Sequence, residues 1–490
     1  MSGMGRGLIR GSRRLSALFA VCALVLTGGI LAAQQPAPEP PGPTQNPAQS
    51  PAPNPPQQPS DAQQPGSGAQ VHTGIVNSGD LDQRIQTLLA DHQFFQVQAA
   101  LDQLPPEQTQ LYRGILANRN NDAKASIDLL EPLVDSIAAS GNAAHEKLLR
   151  KALAEDYLRL GDWPKAAKAY QALETRLHGV LSADEEDEIE MPLKMLPLAA
   201  ANPPMTVEPC DPFLIQVSKD PLGLTDVPVF VDARPHSWML DPTAPFNLIA
   251  RSLAKEAGLK VSEETATVRT LTGKAIQVHV TVIPRFTIAG RLTLRNMTAF
   301  VFDDADYFFP RTHYQVEGVL GYAALSALGS VTITADATIE VRPVQQVTKA
   351  ANDDRLTDGA RFFLDGDQVI VALGKPDQER MFVVDAGGQQ TYLTSRYYDE
   401  HTGDFAGKKM ELFTLPGPNT RSPSPAFIGE SIALTAGSVT AHVHYLQVLT
   451  APLGSAALDD VYGVLGVDAL DQLRAYTFDY RTMRFGLRPD

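Results

Sequence analysis

A long-period internal repeat constrains the fold of this chain more than any other feature of its sequence. At two places, a bulky apolar run typical of a buried strand ends in an aspartate, Asp241 or Asp385, followed by turn residues. The string Gly-Val-Leu-Gly then occurs once downstream of each, ending at Gly321 and at Gly466. Asp385 follows Asp241 by 144 positions, and Gly466 follows Gly321 by 145 positions. Two landmarks that repeat in register predict a duplicated, strand-rich domain.

This pattern resembles the lobe of the pepsin-like and retropepsin-like aspartic peptidases. In each copy an apolar strand ends in an Asp turn, and two apolar residues with a Gly follow 80 or 81 positions after the Asp. Two such lobes in residues 211–490 are similar to the pepsin arrangement, which implies an all-β, two-lobed fold. The resemblance implies an aspartic endopeptidase without metal or cofactor, in which Asp241 and Asp385 are the catalytic pair. The substrate-binding positions that it implies are Thr243, Ala244, Thr272, Gly273, Gly387 and Gly388.

The turn residues depart from the pattern of that family. Its triplet is Asp-Thr-Gly or Asp-Ser-Gly, whereas this chain has Pro242 and Thr243 after the first Asp and Ala386 after the second. The resemblance implies a hydroxyl one place after each Asp that bonds across to the opposite turn. Neither Pro242 nor Ala386 carries a hydroxyl, and Pro242 also lacks a backbone N–H. Two functions therefore stay open at this point. The chain is either a peptidase, with activity weakened by these residues, or an inactive relative that acts as a scaffold and binds peptides or proteins through its cleft and its helices.

The composition and motifs exclude several other classes. With 490 residues, 43% hydrophobic and 20% charged, the chain is long and apolar enough for two or three packed domains. A net charge of -15 argues against nucleic acid as a partner, because no basic surface would neutralise phosphates. The motifs of serine hydrolases, zinc peptidases and phosphate-binding loops do not occur. A peptide or protein remains the expected substrate or partner.

The N-terminus indicates export. Four arginines precede an apolar run at residues 17–33 that ends in small residues, as in a secretory signal peptide. We therefore predict a signal at residues 1–33 and a periplasmic or secreted protein. Cleavage would leave no stable membrane span, and retention as an anchor is the alternative. Residues 34–78 are rich in Pro and Gln and are predicted to be a disordered linker.

Residues 79–181 have apolar residues at helical spacing. Tyr157 to Trp163, followed by Ala166 and Tyr170, predict two helices joined by a Gly-Asp turn and resemble a tetratricopeptide repeat. Two poorer copies upstream would give about three helical hairpins, the minimum for a shared buried face. Such repeats are a possible protein-binding surface, and the alternative is an ordinary helical bundle that only packs on its neighbour.

The rest of the chain divides at composition changes. Residues 182–210 begin with an acidic run, contain several prolines and are predicted to be a linker, so we expect the helices to be separable from the C-terminal part of the chain. Residues 211–343 and 361–490 contain β-branched and aromatic runs bounded by Gly, Asp and Pro, and they are predicted to be the two β lobes. Residues 344–360 would link them. The predicted molecule is thus multidomain, with a helical repeat domain before a two-lobed β domain.

Overall fold

The structure is a computed structural model that describes residues 78–488, apart from residues 243, 245, 270–274, 311, 345–355, 367, 414–422 and 453–458. The predicted signal peptide, all but the last residue of the predicted Pro- and Gln-rich linker, and most of the predicted link at 344–360 lie outside the described residues. From Ile85 onward, the described helices and strands belong to one compact unit.

Helices occupy the first part of the described chain. They are α1 (Ser78–Ala90), α2 (Phe94–Leu101), α3 (Pro106–Arg119), α4 (Ala123–Leu130), α5 (Val134–Ser140), α6 (Ala143–Arg159), α7 (Trp163–Leu177) and α8 (Ala183–Ala200), with a 3-10 turn at Glu131–Leu133. Polar side chains cap several N-termini; Asp162, for example, accepts a hydrogen bond from the backbone N–H of Lys165 at the start of α7. Helices α6 and α7 form the predicted hairpin, and Gly161 allows the turn because its φ is 71°.

Helix α8 corrects the prediction that residues 182–210 are a linker. Its N-terminus is closed by a capping box, in which the Ser182 hydroxyl accepts from the N–H of Glu185 and the Glu185 carboxylate accepts from the N–H of Ser182. The acidic run therefore lies where a helix dipole favours negative charge. Met191, Met195 and Leu196 are buried on the same helix. It packs against α7 and against two strands of the β region, so residues 183–200 are a packed helix and not an exposed linker.

The first part of the β region forms a sheet that closes on itself. Its elements are β1 (Thr206–Val207), β2 (Phe213–Gln216), β3 (Ser218–Lys219), β4 (Thr225–Val231), β5 (Arg234–Leu240), β6 (Asn247–Ala250), α9 (Arg251–Glu256), β7 (Ala266–Arg269), β8 (Ala275–Ile288), β9 (Leu292–Phe302), a 3-10 turn (Asp304–Tyr307), β10 (Phe308–Phe309), β11 (Tyr314–Gln315), β12 (Gly318–Leu320), α10 (Tyr322–Ala327), β13 (Ser330–Thr334) and β14 (Thr338–Arg342). The strand order is β1-β9-β6-β12-β5-β4-β8-β7, with β3 beside β4, and β8 also pairs with β9. The closed ring runs β9-β6-β12-β5-β4-β8 and back to β9, and β1, β3 and β7 pair at its edges. Strands β2, β13 and β14 belong to the larger sheet, and β10 pairs with β11.

The second part of the β region contributes to a larger sheet. Its elements are β15 (Ala360–Asp365), β16 (Gln368–Leu373), β17 (Arg380–Val384), β18 (Tyr392–Leu393), α11 (Ser395–Glu400), a 3-10 turn (Thr402–Phe405), β19 (Glu411–Phe413), β20 (Ser424–Gly429), β21 (Ile432–Ala436), β22 (Val439–Val443), β23 (Leu446–Leu449), β24 (Gly463–Leu465), α12 (Val467–Leu470), β25 (Ala475–Asp479) and β26 (Arg484–Leu487). The order is β19-β20-β23-β18-β24-β17-β16-β15-β26-β25-β13-β14-β2. Strand β25 pairs with β13, which joins the two parts. A helical region followed by a mostly β region is thus confirmed.

The helices dock on the hairpin formed by β15 and β16. The ring of Phe94 lies 4.6 Å from that of Phe363, centre to centre, and Phe363 is buried. Arg119 forms an ion pair of 2.9 Å with Asp365, at the end of β15. Both an apolar and a charged contact therefore hold the helices against the strands, which argues against the expectation that the helices are separable.

Candidate functional site

The first Asp turn begins where β5 ends. Strand β12 runs parallel to β5, and the backbone N–H of Asp241 donates to the carbonyl of Leu320 at 3.1 Å. Two more backbone bonds close the turn: the N–H of Ala244 donates to the carbonyl of Asp241 at 3.2 Å, and the N–H of Tyr322 donates to the carbonyl of Ala244 at 2.7 Å. Asp241 is fully buried. The turn is therefore clamped by the segment that follows β12.

The second Asp turn has the same hydrogen bonds. Strand β24 runs parallel to β17, and the N–H of Asp385 donates to the carbonyl of Leu465 at 2.9 Å. The N–H of Gly388 donates to the carbonyl of Asp385 at 3.1 Å, and the N–H of Val467 donates to the carbonyl of Gly388 at 2.8 Å. Asp385 is also buried, at 5% exposure. The repeat seen in the sequence thus corresponds to a repeated local structure.

A polar side chain supports each turn from the next strand, and we did not predict either one as a site residue. The Asn247 side-chain oxygen accepts from the N–H of Gly321 at 3.1 Å, and the Thr391 hydroxyl accepts from the N–H of Gly466 at 2.8 Å. Each stands six positions after its Asp, which is the signal in the sequence that could have found them. A side chain at either glycine would collide with backbone of the facing turn, so both positions require Gly.

The two Asp turns lie against each other. A Cβ placed on Gly387 would lie 2.6 Å from Oδ2 of Asp241, so the backbone of the second turn contacts the carboxylate of the first. A Cβ on Gly388 would collide with the carboxylate of Asp385. The predicted site residues Asp241, Ala244, Asp385, Gly387 and Gly388 are therefore brought together by turns that are 144 positions apart in the chain.

Three other predicted site residues fall where the structure gives no description. Thr243, Thr272 and Gly273 lie outside the described residues. Pro242 and Ala386 follow the two aspartates, and both are buried. The positions that lack a hydroxyl therefore lie in the interior of the site. The cross-turn hydroxyl contacts implied by the resemblance cannot come from these side chains.

A second pair of buried carboxylates lies beside the first Asp strand, and we did not predict it from the sequence. Asp226 on β4 pairs with Met239 on β5, two positions before Asp241. Burial raises the pKa of Asp226 to about 6, and the negative charge of Asp220 contributes to this rise. The hydroxyl of Tyr314 donates to Asp226 at 3.4 Å. No local pattern marks these carboxylates, because their burial depends on how distant strands pack.

The segment between Asp220 and Asp226 contacts the second Asp turn. The side-chain amide of Gln389, just after Gly388, donates to the carbonyl of Leu222. Tyr480 is also buried, and burial raises the pKa of its hydroxyl. The nearby Tyr322 and Asp241 add to this rise. A phenol that stays neutral next to Asp241 adds no negative charge to the site.

Metal-binding clusters and membrane spans are both missing from the described part of the chain. No group of three or more His, Cys, Asp or Glu side chains there could hold a metal ion. No helix among those with described residues is both long and apolar enough to cross a membrane.

A protein-family comparison matches the part of the chain around the first Asp turn. The family model Asp_protease_2, described as "Aspartyl protease", matches residues 227–324, which contain Asp241 and Gly321. This match supports an aspartic-peptidase-like domain in the chain. A search of curated proteins finds no match.

Several solved structures are similar to this chain at low identity. Conglutin gamma, a basic 7S globulin from lupine seeds, is 11% identical, with a TM-score of 0.36, and the match covers 57% of this chain and 95% of that one. Basic 7S globulin from soybean is 11% identical, with a TM-score of 0.35, and 57% and 94% of the two chains are covered. A retropepsin-like aspartic protease from Rickettsia conorii is 14% identical, with a TM-score of 0.20, and 29% and 94% are covered.

Proposed function

We propose that this chain is an aspartic-type endopeptidase whose catalytic pair is Asp241 and Asp385. The observation that carries the proposal is the contact between the two Asp turns, in which Gly387 of the second turn lies against the carboxylate of Asp241. The match of residues 227–324 to an aspartyl protease family supports the same chemistry for the first turn.

We also propose that residues 211–343 and 361–490 are two copies of one lobe. The three backbone hydrogen bonds that fix each Asp turn support this, because their donors and acceptors differ by 144 or 145 positions between the two halves. The strand pairing supports it too, since β5 with β12 and β17 with β24 are both parallel neighbours at the Asp. A site at the junction of two such copies draws one carboxylate from each.

The chemistry of the pair follows from its burial. Two carboxylates held close together in a buried site do not both ionise, so the pair holds one proton. The ionised member takes a proton from water, and the water oxygen attacks the peptide carbonyl carbon. The protonated member gives its proton to the carbonyl oxygen. The C–N bond then breaks as the member that took the proton from water passes it to the amine nitrogen, and the other member takes back a proton from a hydroxyl of the tetrahedral intermediate. This leaves a carboxylic acid, an amine and the pair with its one proton.

The turn substitutions predict weak activity. Pro242 and Ala386 offer no hydroxyl to bond across to the opposite turn, and each such bond contributes roughly 1 kcal/mol. A misplacement of about 1 Å in a catalytic group is enough to lower a rate about 100-fold. We therefore expect slow peptide cleavage, fastest at acidic pH, where the pair keeps its shared proton.

The same substitutions favour a second candidate function. Pro242 and Ala386 are buried in the two turns and carry no hydroxyl, so a protein that folds but does not cleave peptides is also consistent with the site. In that case the protein binds peptides through its cleft and partners through its helices, as a scaffold. We propose this function only as the alternative to cleavage.

Cleavage of a broad peptide library, followed from acidic to neutral pH by mass spectrometry, distinguishes the two functions. We expect slow cleavage by the wild type and a loss of at least about 100-fold in Asp241→Asn and in Asp385→Asn. The combined change Pro242→Thr, Thr243→Gly and Ala386→Thr is expected to raise turnover roughly tenfold or more. Asp471→Asn, which changes an exposed carboxylate in an ion pair with Lys219, is the matched control and should leave cleavage unchanged.

The opposite result has a clear form. If neither the wild type nor the triple variant cleaves any peptide, while both bind peptides, the enzyme proposal fails and the binding function stands. Cleavage that persists in both Asp→Asn variants would place the reaction elsewhere.

We further propose that the protein is exported, because its first 33 residues have the charge and hydropathy order of a signal peptide. The N-terminal sequence of protein recovered from outside the cytoplasm tests both export and cleavage of the signal.

A further inference from the structure

A cavity lies between the helices and the β region. Its volume is about 360 Å³. It is bounded by α6, α7 and α8 on the helical side and by β9, α10 and the end of β15 on the other. A volume of this size falls in the range of small-ligand pockets, about 300–1,000 Å³.

Most of the cavity wall is apolar. Aromatic rings line it, among them Trp163, Tyr170, Phe246 and Tyr322, together with aliphatic side chains such as those of Ile189 and Leu196. Apolar surface that remains accessible inside a cavity favours an apolar occupant, because binding removes it from water.

Three charged side chains of the wall, those of Glu155, Arg159 and Asp365, are in ion pairs. Glu155 accepts from Arg119 at 3.1 Å, and Asp365 pairs with the same guanidinium at 2.9 Å. Arg159 lies 3.6 Å from Glu155. A charged ligand would have to compete with these pairs, whereas an uncharged ligand leaves them intact.

Two buried polar atoms of the wall remain to be satisfied. The indole N–H of Trp163 and Oε1 of Glu155 have no hydrogen-bond partner among the residues that the structure describes. Glu155 is only 4% exposed. One of these atoms is a donor and the other an acceptor, so a suitable occupant must both accept and donate a hydrogen bond.

We propose that this cavity is a second peptide-binding site, which takes a short, uncharged, apolar segment of the polypeptide substrate. A peptide group has a carbonyl to accept from Trp163 and an N–H to donate to Glu155, and apolar side chains on either side would cover the aromatic wall. That the segment belongs to a substrate rests on the proposed function, whereas its binding does not require cleavage.

The cavity also reaches the back of the first Asp turn. Phe246 and Asn247 are part of its wall, and Asn247 supports the turn through its hydrogen bond with the N–H of Gly321. A bound segment would therefore contact the residues that hold Asp241 in place.

The two tryptophans of the chain allow a local test. Trp163 lines the cavity and Trp238 is fully buried in the β core, so protein labelled with 5-fluorotryptophan gives one fluorine resonance for each. Trp163→Phe assigns them. We expect N-acetyl-Leu-Phe-amide, added to the full chain, to shift the Trp163 resonance saturably and to leave that of Trp238 in place.

Substitutions that fill the cavity provide the control. Ala323→Phe or Ser326→Phe, each at a wall position on α10, should weaken this shift at least about tenfold, whereas Ala139→Phe on the exposed face of α5 should not change it. An unchanged Trp238 resonance shows that a variant is folded, and two filling variants are used so that one folded protein is obtained.

Three results would overturn the proposal. They are no shift of the Trp163 resonance at millimolar peptide, a shift that persists in both folded filling variants, or a saturable shift with dodecanoate and none with the peptide. Because the resonance is read without turnover, a saturable shift with no cleavage would leave this site standing while the peptidase proposal fails.

Discussion

Gly387 has no side chain at the point where the second Asp turn faces the carboxylate of Asp241. A methyl group there would lie 2.6 Å from Oδ2, and the neighbouring atoms belong to a buried carboxylate, which cannot easily move. The small-residue character of this turn is therefore explained by contact between two distant segments and not by a need for positive φ.

We predict that Gly387→Ala disturbs the site more than a glycine change elsewhere. The added methyl must push the two turns apart, so we expect at least about a tenfold loss of cleavage, or of peptide binding if the protein does not cleave. Gly403→Ala is the matched control, because a Cβ there meets no atom within 4 Å. Equal effects of the two changes would contradict the close contact between the turns.

Asp226 gives a second prediction at this scale. Burial raises its pKa from 3.8 to about 6, so the folded state favours the protonated form. Because the folded state binds this proton more tightly than the unfolded chain, the proton on Asp226 stabilises the fold. This contribution is fully present below pH 3.8 and is lost as the pH rises through about 6. Asp226→Asn removes the buried charge, and we expect it to stabilise the protein by roughly 1–3 kcal/mol at neutral pH and by much less in acid.

Thermal unfolding at both pH values measures this effect. Glu263→Gln, at an exposed position, serves as the control and should change stability little at either pH. An Asn variant that is less stable than the wild type at neutral pH would show that the carboxylate is needed in its charged form.

Among the elements, the hairpin of β15 and β16 carries the contacts with the helices. Burial alone would raise the pKa of Asp365, but the positive charge of Arg119 and the hydrogen bond with His92 outweigh it and hold this pKa well below its usual range. Asp365 therefore stays ionised in the folded protein across the acidic range in which we expect cleavage.

We predict that Asp365→Asn destabilises the protein by about 3–5 kcal/mol at neutral pH, because it leaves the buried Arg119 short of one negative partner. The contribution of Asp365 is present above its unfolded pKa, near 3.8, and is lost as the pH falls below that value, so the difference from the wild type should shrink in strong acid. Chemical unfolding at several pH values measures it.

Asp471→Asn provides the comparison, since Asp471 and Lys219 form an exposed pair of 2.8 Å that should contribute less than about 1 kcal/mol. Similar losses in the two variants would mean that the pair at the hairpin is not effectively buried.

At the scale of the whole molecule, the helices and the β region behave as one body. Phe363 is buried, and its ring lies against those of Phe94 and Phe95 in the helical part of the chain. We predict that a shortened chain beginning at Thr206 aggregates or loses its cooperative unfolding transition, because it exposes this apolar surface together with Asp365. Size-exclusion chromatography and thermal unfolding test it.

The full chain serves as the reference for that experiment. A shortened chain that stays monomeric and unfolds in one cooperative step would show that the docking contributes little to the stability of the β region.

Local patterns in the sequence were sufficient to predict some of the strands and helices. The apolar runs before Asp241 and Asp385 predict strands that end at a carboxylate, and the structure has β5 and β17 there. The helical hairpin around Gly161 was also predicted, because helical period and turn chemistry act over a few residues. Where one residue interrupts a pattern, prediction is weaker. Residues 443–449, for example, have the β-branched and aromatic residues typical of one strand, but Tyr445 has a φ of 61° and separates β22 from β23.

The sequence was thus enough to predict the two Asp turns, their register and a helical region before a β region. Only the tertiary structure brought Gly387 against Asp241, buried Asp226, packed α8 against strands and paired Arg119 with Asp365 across 246 positions of chain. The reason is physical. A strand or a turn is specified by neighbours in the chain, whereas burial and the pKa values it sets depend on segments whose separation leaves no periodic trace in the sequence.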